Sequence, residues 1–183
     1  MTDALILVDI QTAFADTAYW GARNNPDAEA NAARLLAHWR ERNRPVIFIR
    51  HISTTPGSPL KGDGTAIQPI VAPQSGEPVL EKSVNSAFIG TDLEARLHAL
   101  DARAVTICGL TTPHCVSTTT RMAANLGFDV TLAHDACAAF TQNVQTSWRG
   151  GPLPDPQTIH EAAIDALHGE FCTALATDAI LQR

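Results

Sequence analysis

The residues best suited to chemistry lie in one segment, residues 108–120, with the sequence CGLTTPHCVSTTT. The apolar run before it, residues 104–108, predicts a buried strand, and residues 121–127 after it predict a helix that ends at glycine. Cys115 is therefore expected where a strand leads into the start of a helix. Free backbone N–H groups and the helix dipole lower the pKa of a thiol there and can hold an oxyanion. A small buried structural cysteine is the alternative, and this segment alone does not separate the two.

Continuous apolar runs predict the strands that must position this cysteine. Segments with apolar residues at helical spacing separate these runs, and the clearest of them covers residues 31–42. Such alternation predicts an α/β fold with a parallel sheet and helices on both faces, because parallel neighbours need crossover connections. The six predicted strands are residues 5–8, 45–49, 78–81, 104–108, 128–133 and 171–176.

The polar residues that follow the strands are the candidates for a site, since such folds bind ligands at the carboxyl ends of their strands. Asp9 follows the first predicted strand, Lys82 the third, and Cys115 the fourth. A thiol that attacks a carbonyl needs a base, and a carboxylate supplies one. A neighbouring ammonium favours both the carboxylate and the thiolate. Considered alone, Asp9 is typical of a solvated residue that caps a strand end, and Lys82 is typical of a solvated surface residue. The coincidence of both with Cys115 predicts a nucleophilic site.

Composition restricts the class of protein. The chain has 183 residues and a net charge of −6, which suits one domain over residues 1–183 and disfavours nucleic-acid or anionic membrane partners. It has no apolar stretch of about 20 residues, and we do not expect its first residues to form a signal peptide. The four cysteines form no C-x-x-C pair, which is typical of free thiols in a reducing compartment. We therefore expect a cytoplasmic protein that acts on a small molecule.

Three segments resemble motifs of the isochorismatase-like cysteine hydrolases. They are residues 5–14 (LILVDIQTAF), residues 82–88 (KSVNSAF) and residues 109–116 (GLTTPHCV), the last continuing through Gly127 to Asp135. Their order and spacing match that family over nearly the whole chain. The family includes nicotinamidases, N-carbamoylsarcosine amidases, ureidoacrylate and biuret hydrolases, streptothricin hydrolase and isochorismatase itself.

The resemblance implies a fold and a set of roles. The fold would be a three-layer α-β-α sandwich with a six-stranded parallel sheet in the order 3-2-1-4-5-6. Cys115 would be the nucleophile, Asp9 the general base and later acid, and Lys82 their charge partner. A cis peptide between Leu110 and Thr111 would turn the Thr111 N–H toward the oxyanion, beside the N–H of Cys115. The usual assembly is a homodimer or higher homo-oligomer, with partner residues often closing the pocket.

Departures from the family pattern refine the expected activity. Nicotinamidases bind a metal through an Asp-x-His after the second strand, but here Ile49 stands two residues before His51. We therefore expect no metal and no other cofactor, and place His51 at the pocket rim. Isochorismatases proper cleave an enol ether and lack the cysteine. The prediction is a cysteine-dependent hydrolase of a small amide, carbamoyl or lactam-like substrate, acting through a thioester. An ether hydrolase and a non-catalytic binding protein are the alternatives.

The substrate pocket is predicted less directly. Two irregular segments, residues 53–75 and 141–156, are long enough to shape it. The candidate lining residues are Gln11, Phe14, Phe88 and Trp148. Gln11 suits a backbone cap equally well, and the aromatic residues equally suit the core.

Histidines outside the motifs are assigned to surfaces. His114 is expected at a surface or an interface, because neighbouring residues of a helix do not face each other. The helix and exit of residues 160–170, which include His160, are expected to be a solvated face or an oligomer contact.

Overall fold

The computed structural model describes residues 2–183, and its strands form one six-stranded parallel sheet. The order across this sheet is β3-β2-β1-β4-β5-β6. This order confirms the predicted fold class. The strands are β1 (Thr2–Val8), β2 (Val46–His51), β3 (Val79–Lys82), β4 (Ala102–Leu110), β5 (Asp129–Ala138) and β6 (Thr173–Leu175).

Helices connect the strands and cover both faces of the sheet. One turn of π-helix, Thr112–Val116, directly precedes α4, so the two form a continuous helical segment. Across residues 2–183, no helix combines the length and the apolar character that crossing a membrane requires. The α-helices are α1 (Thr17–Trp20), α2 (Ala28–Glu41), α3 (Leu93–Ala99), α4 (Ser117–Asn125), α5 (Pro156–Asp165) and α6 (Thr177–Leu181).

The core lies along the central strand β1. Residues 4–8 of this strand are at most 1% exposed, which explains their continuous apolar sequence, since helices cover both faces of the sheet. Trp39 of α2 packs into the same core and donates its indole N–H to the Asp3 carbonyl at 3.1 Å. Burial of this kind fixes β1, and with it the residue that follows, Asp9.

Strand β5 extends three residues beyond Asp135, near which it was predicted to end. The prediction stopped short because polar residues interrupt the apolar pattern of the strand. The pairing with β4 shifts register between Ile107 and Gly109, and β5 continues to Ala138 beyond the shift. Within the strand, Asp135 Oδ1 accepts from both the N–H and the hydroxyl of Thr177 at 2.7 Å. Asp135 thus anchors the start of α6, which is why a polar residue stands inside a strand.

Gly109 allows β4 to pass close to β1 just before the candidate nucleophile. Its φ is +131°, and a Cβ at this position would lie 2.0 Å from the carbonyl oxygen of Val8. The backbones of Gly109 and Val8 are both held in the sheet, so a side chain at position 109 would displace the ends of two central strands. These are the ends that carry Asp9 and lead to Cys115.

We expect Gly109→Ala to lower the free energy of unfolding by about 3 kcal/mol, from steric overlap and unfavourable φ together. Gly127→Ala is the matched control, because Gly127 has a φ of +89° but a Cβ added there would meet no atom within 4 Å. The control should lose only about 1 kcal/mol. Urea unfolding measures both, and equal losses would show that the approach to Val8 is not limiting.

Candidate active site

Four side chains from successive strand ends meet at the carboxyl edge of the sheet. Asp9 directly follows β1, and its φ of +53° turns the chain there. His51 and Lys82 end β2 and β3 and are paired in the register of the two strands. Cys115 lies in the π-helical turn after β4. The structure therefore brings together the three residues predicted for chemistry and adds His51.

The Lys82 ammonium lies at the centre of this group. Its Nζ is 2.6 Å from Asp9 Oδ2, 3.2 Å from Cys115 Sγ and 2.9 Å from His51 Nδ1. The side chains of Lys82 and Asp9 are 0% and 1% exposed, so their ion pair is removed from water. Only fully hydrogen-bonded geometry offsets the loss of solvation of such a pair.

Burial changes the pKa values of Asp9 and Cys115, the candidate base and the candidate nucleophile. Burial raises the pKa of Asp9 above its usual range, although the Lys82 ammonium acts against this. Burial and the Asp9 carboxylate also raise the pKa of the Cys115 thiol, against a smaller effect of Lys82. The pKa of the Cys115 thiol is therefore raised and not lowered as expected at a helix start, because burial and the Asp9 carboxylate outweigh the Lys82 ammonium. The resting group holds a neutral thiol beside a carboxylate.

The two carboxylate oxygens of Asp9 differ in their contacts. Oδ2 receives the Lys82 ammonium, whereas Oδ1 is fully buried and has no hydrogen-bond partner among residues 2–183. A carboxylate oxygen of Asp9, a ring nitrogen of His51 and the Cys115 sulfur lie within 4.8 Å of one another. A buried carboxylate oxygen without a donor costs free energy, and such an oxygen is one mark of a functional site. The Cys115 sulfur lies within 4.8 Å of an Asp9 carboxylate oxygen.

Thr111 lies between β4 and the π-helical turn, four residues before Cys115. The Leu110–Thr111 peptide bond is cis. The Thr111 carbonyl accepts from the N–H of His114 at 3.1 Å and of Val116 at 3.3 Å, on either side of Cys115. Within the described chain, the Thr111 N–H has no acceptor. A donor held in this way suits a developing negative oxygen.

A pocket of about 170 Å³ opens onto Cys115. On one side it has a cluster of rings, in which the centroids of Phe14 and Trp20 are 4.7 Å apart. No arginine or lysine is among the described residues of its lining. Besides Asp9, His51, Thr111, His114 and Cys115, the lining consists of Phe14, Tyr19, Trp20, Ser53, Thr55, Ser58, Leu60 and Asn85.

Of the four predicted lining residues, one lines the pocket and three do not. Phe14 lines the pocket, but Gln11 lies behind it, fully buried and bonded to the backbone of His51. Phe88 stacks on Phe128 with centroids 6.1 Å apart, away from the pocket. Trp148 is 83% exposed and does not line it either. The segment 53–75 contributes to the wall as predicted, whereas no described residue of the segment 141–156 does.

Three histidines differ from their predicted positions. His51 reaches past the pocket rim to the Lys82 ammonium, and His114 lines the pocket beside Cys115. His160 is 4% exposed, and its Nδ1 lies 2.8 Å from the Thr112 hydroxyl, so residue 160 is not on a solvated face. Burial lowers the pKa of His160 to about 4, which keeps the ring neutral. Since Thr112 opens the π-helical turn, His160 supports the segment that carries Cys115.

The residues present do not fit the metal centre of nicotinamidases. Ile49, at the position of their aspartate, is 1% exposed and offers no ligand atom. His51 Nδ1 and Asp9 Oδ2 both face the Lys82 ammonium, which already supplies the positive charge between them. A metal ion bound to these two atoms would be repelled by the Lys82 ammonium, which contacts both of them.

Comparison with known proteins identifies the family. A family model described as Isochorismatase domain matches residues 3–179. An uncharacterized isochorismatase family protein of Bacillus subtilis is 48% identical over 180 residues, covering 97% of this chain and 94% of that protein. Streptothricin hydrolase of Streptomyces noursei is 33% identical over 145 residues, covering 75% of this chain and 50% of that protein.

Solved structures agree with the sequence comparison. An isochorismatase-family crystal structure from Chromobacterium violaceum has a TM-score of 0.92 and 41% identity, covering 99% of this chain and 92% of that one. The sheet order and the pocket at its carboxyl edge thus define an isochorismatase-like fold. The chain belongs to the isochorismatase family and is a hydrolase of that family.

We expect Lys82→Met to reduce the free energy of unfolding by about 3–5 kcal/mol, because it leaves the Asp9 carboxylate buried without a counter-charge. The double variant Asp9→Asn/Lys82→Met should regain part of this loss, since the remaining amide is neutral. Lys61→Met, at an exposed position, serves as the control. Urea unfolding gives all three values, and a Lys82→Met loss no larger than the control would contradict the buried pair.

Proposed function

We propose that the protein hydrolyses a small uncharged amide, carbamoyl or lactam-like substrate through a thioester at Cys115. The observation that carries this proposal is the buried Lys82 ammonium, which contacts both a carboxylate and a thiol at the floor of a pocket. The arrangement supplies a nucleophile, a base and a fixed positive charge. An ether hydrolase would need none of the thiol chemistry.

In the first step, the Cys115 thiol transfers its proton to the free oxygen of Asp9 while the sulfur attacks the substrate carbonyl. The proton stays within the group, so the buried site keeps its net charge. The carbonyl oxygen becomes negative and is received by the backbone N–H groups of Thr111 and Cys115. Lys82 stabilises the sulfur as its negative charge develops.

In the second step, Asp9 returns the proton to the leaving nitrogen, the carbon–nitrogen bond breaks, and a thioester remains on Cys115. A water molecule then attacks the thioester carbonyl and gives one proton to Asp9. Collapse of this intermediate releases the acid, a carboxylic acid from an amide or lactam and a carbamic acid from a carbamoyl substrate, and the proton returns to the Cys115 sulfur. One water is consumed for each carbon–nitrogen bond broken, and both residues end in their starting states.

The pocket supports a small and uncharged substrate. Its volume of about 170 Å³ is below the range of about 300–1,000 Å³ that is usual for drug-sized ligands. An ammonium has three N–H donors, and those of Lys82 already have three acceptors. With no arginine or lysine in the described lining, a substrate carboxylate would be desolvated without a counter-charge.

Assembly and location complete the proposal. We propose a homodimer or higher homo-oligomer in the cytoplasm, as the family resemblance and the cysteines suggest. All four cysteines are free thiols, which suits a reducing compartment.

We expect Cys115→Ala and Asp9→Asn to reduce turnover of a responsive amide by at least about a thousandfold, because each removes a reactant. Cys172→Ala is the matched control, since this cysteine is buried away from the pocket and should keep full activity. A panel of small amides, assayed by amine or ammonia release, identifies the responsive substrate. Intact mass spectrometry should detect the acyl-enzyme, and turnover by Cys115→Ala would disprove the mechanism.

The expected charge preference is tested with butyramide and succinamate, which have similar lengths and differ by a carboxylate. We expect kcat/KM for butyramide to exceed that for succinamate by at least about tenfold, because an unpaired carboxylate is costly to bury. Both compounds are assayed at constant ionic strength. A preference for succinamate would show that another group in the assembly binds the carboxylate.

A further inference from the structure

His51 is the part of the site that the proposed mechanism leaves without a role. It is 8% exposed, it lines the pocket, and its Nδ1 lies 2.9 Å from Lys82 Nζ. The other two contacts of the ammonium are Asp9 and Cys115. Since an ammonium has three N–H donors, His51 completes its set of acceptors.

We propose that His51 is a positioning residue, whose neutral imidazole accepts a hydrogen bond from Lys82 at Nδ1 and presents an Nε2–H donor to the pocket. This inference rests on the proposed function, but its tests do not use amide hydrolysis. His51 holds the ammonium between the carboxylate and the thiol, and the donor faces the place of the substrate.

The protonation state follows from the contact with the ammonium. An ammonium has no lone pair, so Nδ1 must be the acceptor and the ring proton must be on Nε2. Burial and the charge of Lys82 lower the pKa of His51 to about 4, which agrees with a neutral ring. Nε2 has no partner within residues 2–183 and is not shut off from solvent.

The backbone of His51 is held rigidly from behind. The Gln11 side chain donates to the His51 carbonyl at 3.0 Å and accepts from the His51 N–H at 2.8 Å. Gln11 is itself 0% exposed and also donates to the Thr65 carbonyl at 3.1 Å. Strand register then pairs His51 with Lys82. Gln11 therefore acts through His51 rather than by contact with the substrate.

The contact with His51 fixes the orientation of the Lys82 ammonium. With Asp9 and Cys115 alone, the ammonium would keep one N–H unsatisfied in a buried place and could rotate toward other acceptors. The His51 acceptor fixes the third direction and thereby the other two. Loss of His51 should therefore weaken the stabilisation of negative charge on Cys115, which iodoacetamide measures without a substrate.

The first test locates the imidazole proton. Long-range ¹H–¹⁵N NMR at pH 7 distinguishes the two neutral forms among the seven histidines of the chain, and His51→Asn assigns the His51 signals. We expect a neutral ring with its proton on Nε2. A proton on Nδ1, or a charged ring, would overturn the proposal.

The second test follows alkylation of Cys115 by iodoacetamide, located by peptide mass mapping. His51→Leu should slow the reaction by about tenfold, the usual size of one lost hydrogen bond to a charged group. His51→Asn offers its side-chain oxygen near the place of Nδ1 and should restore the rate to within about threefold of the unmodified protein. His98→Leu, at a side chain that is 62% exposed, is the control for loss of an imidazole.

The outcomes separate positioning from folding. A wild-type alkylation rate in His51→Leu, or no recovery in His51→Asn when both variants have native thermal unfolding, would overturn the proposal. If His51→Leu does not fold, the NMR result and the His51→Asn rate still decide. Failure to find an amide substrate would refute the proposed function and leave both of these results standing.

Discussion

The buried ion pair between Lys82 and Asp9 is the interaction on which the rest of the site depends. Two opposite charges that are almost completely removed from water are stable only when hydrogen bonds replace their lost solvation. The sheet supplies these bonds to the Lys82 ammonium, because the ends of β1, β2, β3 and β4 bring a carboxylate, an imidazole, an ammonium and a thiol to one place. Among the described residues, only Asp9 Oδ1 of this pair lacks a partner. The strand order is thus a condition for burying the pair.

In the proposed mechanism, the same pair explains how a thiol with a raised pKa can still react. A thiolate formed by loss of a proton to water would add a net negative charge to a buried site. Transfer of the proton to Asp9 avoids this, since the carboxylate loses its charge as the sulfur gains one. The raised pKa values of Asp9 and Cys115 both follow from burial and describe exchange with solvent. The internal transfer depends on their difference and on the nearby ammonium.

Sequence patterns predicted the fold and the meeting of Asp9, Lys82 and Cys115, because strand ends of one parallel sheet share an edge. The contact of His51 with Lys82 depends on the register of β2 and β3, which apolar runs do not specify. Hydrophobic pattern also does not distinguish a pocket wall from the core or the surface. For this reason, Phe88 is partly buried against the core, and Trp148 faces solvent. β5 was underestimated because Asp135, a polar residue inside it, anchors α6.

The pocket wall and the reactive group come from different kinds of structure. Asp9, His51 and Lys82 are fixed by strands, whereas Ser53, Ser58 and their neighbours belong to an irregular segment after β2. Changes in that segment alter the shape and polarity of the pocket without moving the sheet. The loop after β2 can therefore change which small molecule fits the pocket, while the strands keep the buried charges of Asp9 and Lys82 in place.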